Sequence, residues 1–346
     1  MHWQPWNQPR TISLALQGGG AHGAFTWGVL DALLAQPGLR ITALSGASAG
    51  AMNAVVLAHG LAEGGADGAR DALRRFWTAV GTELPFEWVT VGRPEAPGLA
   101  PVAQAAVRWS HFLSPYQFNP LGLDPMRRIV GGQVDFARLR HASPVHLFIA
   151  TTQAATGRLR VFRETELHVD ALLASACLPS LSHSVMIDGE PHWDGAYSAN
   201  PPLWPLIADT ASEDLVLVQL SPQSGAAPPR SADQIRHRAV ELAFNAPFLR
   251  EGQWLADWRG RPAGLLASPL ERRLRRQRFH RVDGRPGLAA LAGETRLIAH
   301  LPFLEHLRDL GHAEGAAWLA RHEGDIGRRS SLDIADLSNL AKSGPA

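Results

Sequence analysis

The sequence predicts an α/β fold: a three-layer α/β/α sandwich with a mainly parallel central sheet, followed by a helical C-terminal section. Three observations predict it. Strand, helix, strand and helix patterns follow one another within the first 60 residues. A glycine-rich turn ends each of the first two strand patterns. Short apolar runs suited to buried strands recur near residues 145 and 214. Alternation of this kind gives parallel pairing with a right-handed crossover.

Residues 1–10, MHWQPWNQPR, read as a polar, proline-containing tail. TISLALQ (11–17) is a buried strand, broken by GGG. Residues 21–36 are helical, with Phe25, Val29, Ala32 and Leu33 at three- to four-residue spacing and Pro37-Gly38 as the stop. RITALS (40–45) is a second strand, GASAG (46–50) a tight turn, and AMNAVVLAHG (51–60) the start of another helix. Residues 62–75 are helical and charged. Residues 76–125 differ in character. They hold Phe76, Trp77, Phe86, Trp88, Trp109, Phe112, Tyr116 and Phe118 among many prolines and glycines. Two readings fit: an aromatic-rich insertion or lid over the sheet, or irregular connecting structure packed through its aromatic rings.

The sheet resumes with PVHLFIATT and RLRVFRE, which flank QAATG as a hairpin. LHVDALLASACL is a short helix ended by Pro179. HSVMID precedes the turn GEPHWDGAY, and EDLVLVQL (213–220) is the last clear buried strand. After the Pro/Gly/Ser-rich stretch 221–231 the chain reads as mainly helical. The expected division is a tail at 1–10, a main domain at 11–220 and a helical section at 221–346 packed on it. No internal repeat is visible.

Of the 346 residues, 45% are hydrophobic and 19% charged, as in ordinary folded proteins. A net charge of +1 argues against nucleic acid as a partner. Cys177 is the only cysteine, which excludes an intramolecular disulfide and a single-chain thiolate cluster. Its expected role is buried packing rather than a reactive thiol. The N-terminus has no charged leader with an apolar core. No window approaches the roughly 18–20 apolar residues of a membrane span. The expected location is cytoplasmic, with any membrane contact peripheral.

Two turns carry chemistry. Gly46-Ala47-Ser48-Ala49-Gly50 is a GxSxG between a strand and a helix. Small flanking residues permit a strained turn that pushes the serine side chain out at the sheet edge. The helix that follows adds partial positive charge near the reacting oxygen. Gly18-Gly19-Gly20-Ala21-His22-Gly23 also ends a strand and opens a helix. Its amides can converge on an anion, as a phosphate site or as an oxyanion hole. The dinucleotide reading needs an acid at the end of the second strand, where the chain reads ALSGAS. The P-loop reading needs a Lys-Ser/Thr after the glycines, which is missing. The oxyanion reading remains. Gly18 and Ser48 are one strand-helix-strand unit apart, so both loops belong at the same carboxyl edge of the sheet.

A third turn, Asp194-Gly195-Ala196, would by itself be only a turn. In order, however, QGGGAHGAF, GASAG and DGA resemble the three signature blocks of patatin-like phospholipases. LLASACLPSL resembles the family's small-residue helix ending in proline, and GEPHWDGAYSANPPL its run through the Asp into an Asn-Pro. The resemblance covers about residues 11–220. RHRAVELAFN and residues 307–334 resemble the tail of a bacterial subgroup. It implies a Ser–Asp dyad: Ser48 attacks a lipid carboxylic ester, Asp194 takes its proton, and the Gly18, Gly19 and Gly20 amides hold the oxyanion. An acyl-enzyme on Ser48 is implied, and no metal or other cofactor is needed. Gly23, Gly46, Gly50 and Gly195 would support the motif turns. Family members often carry Arg or Lys where this chain has His22, leaving two readings for it, a head-group contact or a packing residue. Asp188 precedes the family's Asp position and reads as a turn residue.

Other readings stay open. His280, His300, His306 and His312 follow Asp194 in a Ser, Asp, His order, but only two strands precede Ser48, too few for an α/β-hydrolase. The basic run ERRLRRQRFHRVDGR (271–285) reads as solvated surface, with attraction to anionic lipid as the functional alternative and nucleic acid a distant third. The implied substrate is a phospholipid or lysophospholipid acyl ester. A general carboxylesterase or thioesterase is the enzymatic alternative, and a non-catalytic lipid-binding protein the alternative of another class.

Overall fold

The computed structural model describes residues 9–84, 89–110, 112–221, 228–262, 267–289, 291 and 293–338. Most of the tail expected at 1–10, Phe86 and Trp88 of the aromatic segment, and part of the 221–231 stretch lie outside the described residues.

The chain opens with β1 (Arg10–Leu16), α1 (Gly23–Leu34), β2 (Leu39–Gly46) and α2 (Ala49–Glu83). A small antiparallel pair, β3 (Thr90–Arg93) and β4 (Ala96–Leu99), leads into α3 (Pro101–Ser110), α4 (Pro115–Phe118), α5 (Pro125–Gln133) and α6 (Phe136–Ala142). The sheet then resumes with β5 (His146–Gln153), β6 (Leu159–Arg163), α7 (Val169–Ser175), β7 (Val185–Ile187), β8 (Glu190–Asp194), α8 (Trp204–Asp209) and β9 (Asp214–Gln219). The remainder holds α9 (Ala232–Arg259), α10 (Pro269–Arg276), β10 (Arg278–Asp283), α11 (Arg285–Leu288), α12 (Leu301–His322) and α13 (Ala335–Ser338).

The sheet runs β10-β9-β1-β2-β5-β8-β7, with β6 also paired to β5. β10, β9, β1, β2 and β5 are parallel, and β6, β7 and β8 add antiparallel pairs. Both faces are covered. Ile12, Leu14 and Leu16 of β1 join α1, α2 and α12 in one core, whereas Ala15, Leu215, Leu217 and Phe279 join α8, α9, α10 and α13 in the other. Burial on both faces is why these strands read as near-continuous apolar runs. Each fully buried leucine, such as Leu14, contributes about 1.5–3 kcal/mol relative to exposure.

The section after 220 is mainly helical, as expected, and also contributes β10, which extends the sheet beyond β9. Two expectations need correction. First, the basic run 271–285 is not simply solvated surface. It is α10 followed by β10, with Phe279, His280 and Val282 buried. Several of its charges are matched within the protein. Arg278 makes a forked pair with Asp214 at 3.0 and 2.9 Å, Arg276 meets Glu213 at 3.0 Å, and Arg275 meets Glu271 at 3.3 Å. Second, Phe76 and Trp77 belong to α2 and are buried, so among the described residues the exposed aromatic rings of this segment start with Trp109.

Candidate active site

β5 acts as a ruler for the site. β2 runs parallel to β5, and its last paired residue, Gly46, lies opposite Ile149. β8 runs antiparallel, and its last residue, Asp194, lies opposite Thr151. β6 overlaps both registers and so takes the other edge of β5. The carboxyl ends of β2 and β8 therefore meet end to end along one edge. This brings Ser48, two residues past Gly46, to Asp194. β1 pairs with β2 up to Leu16 opposite Gly46, which sets the glycine loop beside the same serine.

Ser48 has φ 54° and ψ −126°, a left-handed backbone unusual for a residue with a Cβ. It is the residue before α2, whose helical amides begin at Ala49. The bend is held by the Ser48 amide, which donates to the Ser175 carbonyl at 3.0 Å and lies 3.1 Å from the Ser175 hydroxyl oxygen. Ser175 ends α7, inside the small-residue helix noted in the sequence.

Asp194 is wholly buried. Its amide donates to the Cys177 carbonyl at 2.8 Å, and its Oδ1 accepts from the Ala196 amide at 2.8 Å. Burial pushes its carboxyl up to about 7, while the Ala196 amide and the Ser48 hydroxyl pull it down. The hydroxyl is thus near enough to favour the charged carboxylate. Oδ2 nevertheless has no hydrogen-bond partner among the described residues. An open contact of this kind is compatible with an acid–base pair before substrate arrives.

In the glycine loop, Gly18 approaches Ser48 so closely that an added Cβ would lie 2.9 Å from the serine Cβ. Its amide is occupied, donating to Asn200 Oδ1 at 2.7 Å. The amides of Gly19 and Gly20 find no acceptor among the described residues, nor does that of Ala49. Gly20 has φ +59°, and an added Cβ there would sit 2.3 Å from the Arg296 carbonyl. Gln17 clamps the loop from below: its Oε1 accepts from Leu220 and Ser221, both at 2.8 Å. Gly23, Gly46, Gly50 and Gly195 lie where these turns touch neighbouring chain.

A cavity of about 690 Å³ opens beside Ser48. Its walls include Met52, Phe76, Trp77, Val80, Leu173 and Leu178. His22 does not line it. That side chain is buried, shares a 2.8 Å hydrogen bond between Nε2 and the Thr295 hydroxyl, and is pushed down to about 3 by burial and by Arg296. Neutral and enclosed, it packs rather than offering a cation. Asp188 lies in the β7–β8 turn and pairs with Arg160 at 2.8 Å. None of His280, His300, His306 and His312 lines the cavity. His280 is buried against Asp214 and Ser331 instead. Cys177 is buried, and burial raises its thiol to about 11. Among the described residues no group of three His, Cys, Asp or Glu is placed to hold a metal ion. Nor is any helix long and apolar enough to cross a membrane.

Sequence reasoning missed Asn200 and Ser175. Both lay within quoted motif stretches, but their use of the Gly18 and Ser48 amides depends on contacts between distant segments. The Asn-Pro after the Asp block was the only signal for Asn200.

A family model described as patatin-like phospholipase matches residues 14–207, more than half of the chain. No curated protein matches it. Among solved structures, VipD from Legionella pneumophila is 15% identical with a TM-score of 0.39, over 88% of this chain and 67% of that one. The ExoU–SpcU complex from the type III secretion system of Pseudomonas aeruginosa gives 17% identity and a TM-score of 0.36, over 98% of this chain and 58% of that one. These likenesses are weak, and the chain spans 67% and 58% of the two matched chains.

Proposed function

Because the chain belongs to the patatin-like phospholipase family, whose members are typically lipid acyl hydrolases, we propose that it hydrolyses phospholipid or lysophospholipid acyl esters through Ser48 and Asp194. The observation that carries this reading is the wholly buried Asp194 carboxylate beside the strained Ser48, whose hydroxyl is near enough to pull it down, with Oδ2 unpartnered among the described residues.

A serine hydroxyl needs a base, and a carboxyl near its ordinary 3.8 is a weak one. Raised to about 7, Asp194 is a far better proton acceptor at neutral pH, yet still ionised in a large fraction of molecules. Ser48 Oγ attacks the ester carbonyl carbon as its proton passes to Asp194 Oδ2. The carbonyl oxygen becomes an oxyanion held by the Gly19 and Gly20 amides, beside the positive end of α2. Gly18 acts differently from the expectation: its amide anchors the loop to Asn200. Collapse of the intermediate expels the alcohol, which takes the proton from Asp194 and leaves an acyl-Ser48. Asp194 then deprotonates a water that attacks the acyl carbon. The fatty acid leaves, and the proton returns to Ser48.

The cavity's apolar side, with Met52, Phe76, Trp77, Val80, Leu173 and Leu178, suits a long acyl chain better than a small soluble ester, and Asp124, Arg127, Asp170 and Arg296 add a polar side. Phospholipid vesicles and a short-chain water-soluble ester, assayed side by side, test this. Turnover of the vesicle lipid and its loss in Ser48→Ala and Asp194→Asn, with folding intact, are the expected results. Turnover of the short ester alone returns the reading to a general esterase. No turnover of either substrate, in a folded protein, favours a lipid-binding role.

A further inference from the structure

Residues 96–123 contain one arginine, one histidine and no aspartate or glutamate. A protein surface that faces only water carries charge at roughly a quarter of its positions. Apart from the buried Pro97, Leu99 and Pro115, the described side chains of this stretch are partly or fully exposed. Trp109, Phe112, Leu121 and Leu123 are 71%, 82%, 81% and 69% exposed. The segment is fixed beside the cavity. Tyr116 stacks on His183 with ring centroids 4.1 Å apart, and its hydroxyl accepts from the Ser184 amide at 3.2 Å. His183 Nε2 lies 3.2 Å from the Pro115 carbonyl oxygen. On the cavity itself, Leu123, Leu181 and Met186 are both wall residues and exposed, so they form an apolar rim.

We propose that this face, from α3 to Leu123 with Leu181 and Met186, docks the protein on a lipid bilayer with the cavity mouth against the membrane. The proposal rests on the reading of lipid ester hydrolysis. Three features select a bilayer as the occupant. The patch is continuous with the cavity rim through Leu123, Leu181 and Met186, so an acyl chain leaving the bilayer meets apolar side chains at the mouth, while Asp124, Arg127 and Asp170 line another part of the wall. A second copy or a protein partner seated here would cover that entrance. Residues 96–123 set no carboxylate against phosphate head groups, Asp170 on the cavity wall is paired with Arg127, and exposed Trp and Tyr rings suit the zone between head groups and acyl chains.

The test is flotation of the full chain with phosphatidylcholine vesicles, with and without phosphatidylglycerol, comparing wild type with Phe112→Asp, Leu121→Asp and the double variant. Neither side chain lines the cavity. Each substitution is expected to lower vesicle partitioning by about ten-fold, from the loss of one inserted apolar side chain. Vesicle-lipid turnover should fall in parallel, while turnover of a short water-soluble ester stays at the wild-type level. Flotation of Ser48→Ala at the wild-type level supports docking whatever becomes of the hydrolytic reading, because binding is then read without turnover. Failure of the wild type to float, or equal flotation of the double variant, overturns the proposal. So does a wild-type dimer that the double variant converts to monomer with vesicle binding unchanged, or loss of soluble-ester turnover in both single variants.

Discussion

Burial lifts Asp194 from its ordinary 3.8 to about 7, and only the Ala196 amide and the Ser48 hydroxyl pull against it. Two predictions follow at this residue. Turnover should rise about ten-fold per pH unit below about 7 and level off above it, as the base loses its proton. A profile flat between pH 5 and 8, on a substrate whose chemistry limits the rate, contradicts this. Stability moves the opposite way. The folded-state value lies above the unfolded one, so the protonated group's stabilisation is complete below 3.8 and is lost as pH rises through about 7. The move corresponds to an upper limit on the order of 4 kcal/mol. Asp194→Asn should therefore melt higher than wild type at pH 8 and show no such gain at pH 3.5, measured by calorimetry, while losing turnover. A lower melting temperature at pH 8 counts against a buried, uncompensated carboxylate. Ser48 and Asp194 were both readable as residues in motif turns. That Gly18 spends its amide on Asn200, and that Ser175 holds the serine bend, were not, because each bond joins segments more than 100 residues apart.

At the scale of elements, the glycine loop and β10 make contrasting cases. The loop was legible because conformation is written into glycine. At Gly20, Ala would face both φ +59° and the Arg296 carbonyl. Gly20→Ala should cut turnover by roughly 10²-fold, the scale of one oxyanion donor displaced, with far-UV circular dichroism unchanged. β10 was not legible, since arginines at 278 and 281 interrupt its apolar residues and it pairs with a strand 64 residues earlier. Its anchor is Asp214. Burial alone would raise that carboxyl, but His280, Arg278 and the Gly327 amide more than offset this and hold it at about 2. A depressed value contributes stability above the unfolded 3.8, lost as pH falls through about 2. Asp214→Ala leaves Arg278 and His280 without this partner and should cost about 3–5 kcal/mol in urea denaturation at pH 7. Asp188→Ala, which breaks an exposed pair with Arg160, should cost no more than about 1 kcal/mol.

For the molecule as a whole, the C-terminal section completes the fold rather than decorating it. β10 extends the sheet, and α12 packs along α1, where Gly28 and Gly311 let the two helices touch at backbone distance. A chain ending at residue 260 would expose the apolar faces of α1 and β9. It should be insoluble or protease-sensitive, and a soluble, cooperative, protease-resistant fragment contradicts this account. The α/β order was legible because strand and helix periods differ. The small β3–β4 pair and the division of residues 76–125 between core helix and exposed surface were not, since aromatic residues serve both places equally well. What joins these scales is one pair of side chains at the edge of β5. The most direct measurement is fluorophosphonate labelling of the intact chain at pH 8, located by peptide mass spectrometry. The label is expected on Ser48, slowing as pH falls through about 7 and all but absent in Asp194→Asn. Label on another residue, or equal labelling of Asp194→Asn and wild type, contradicts it.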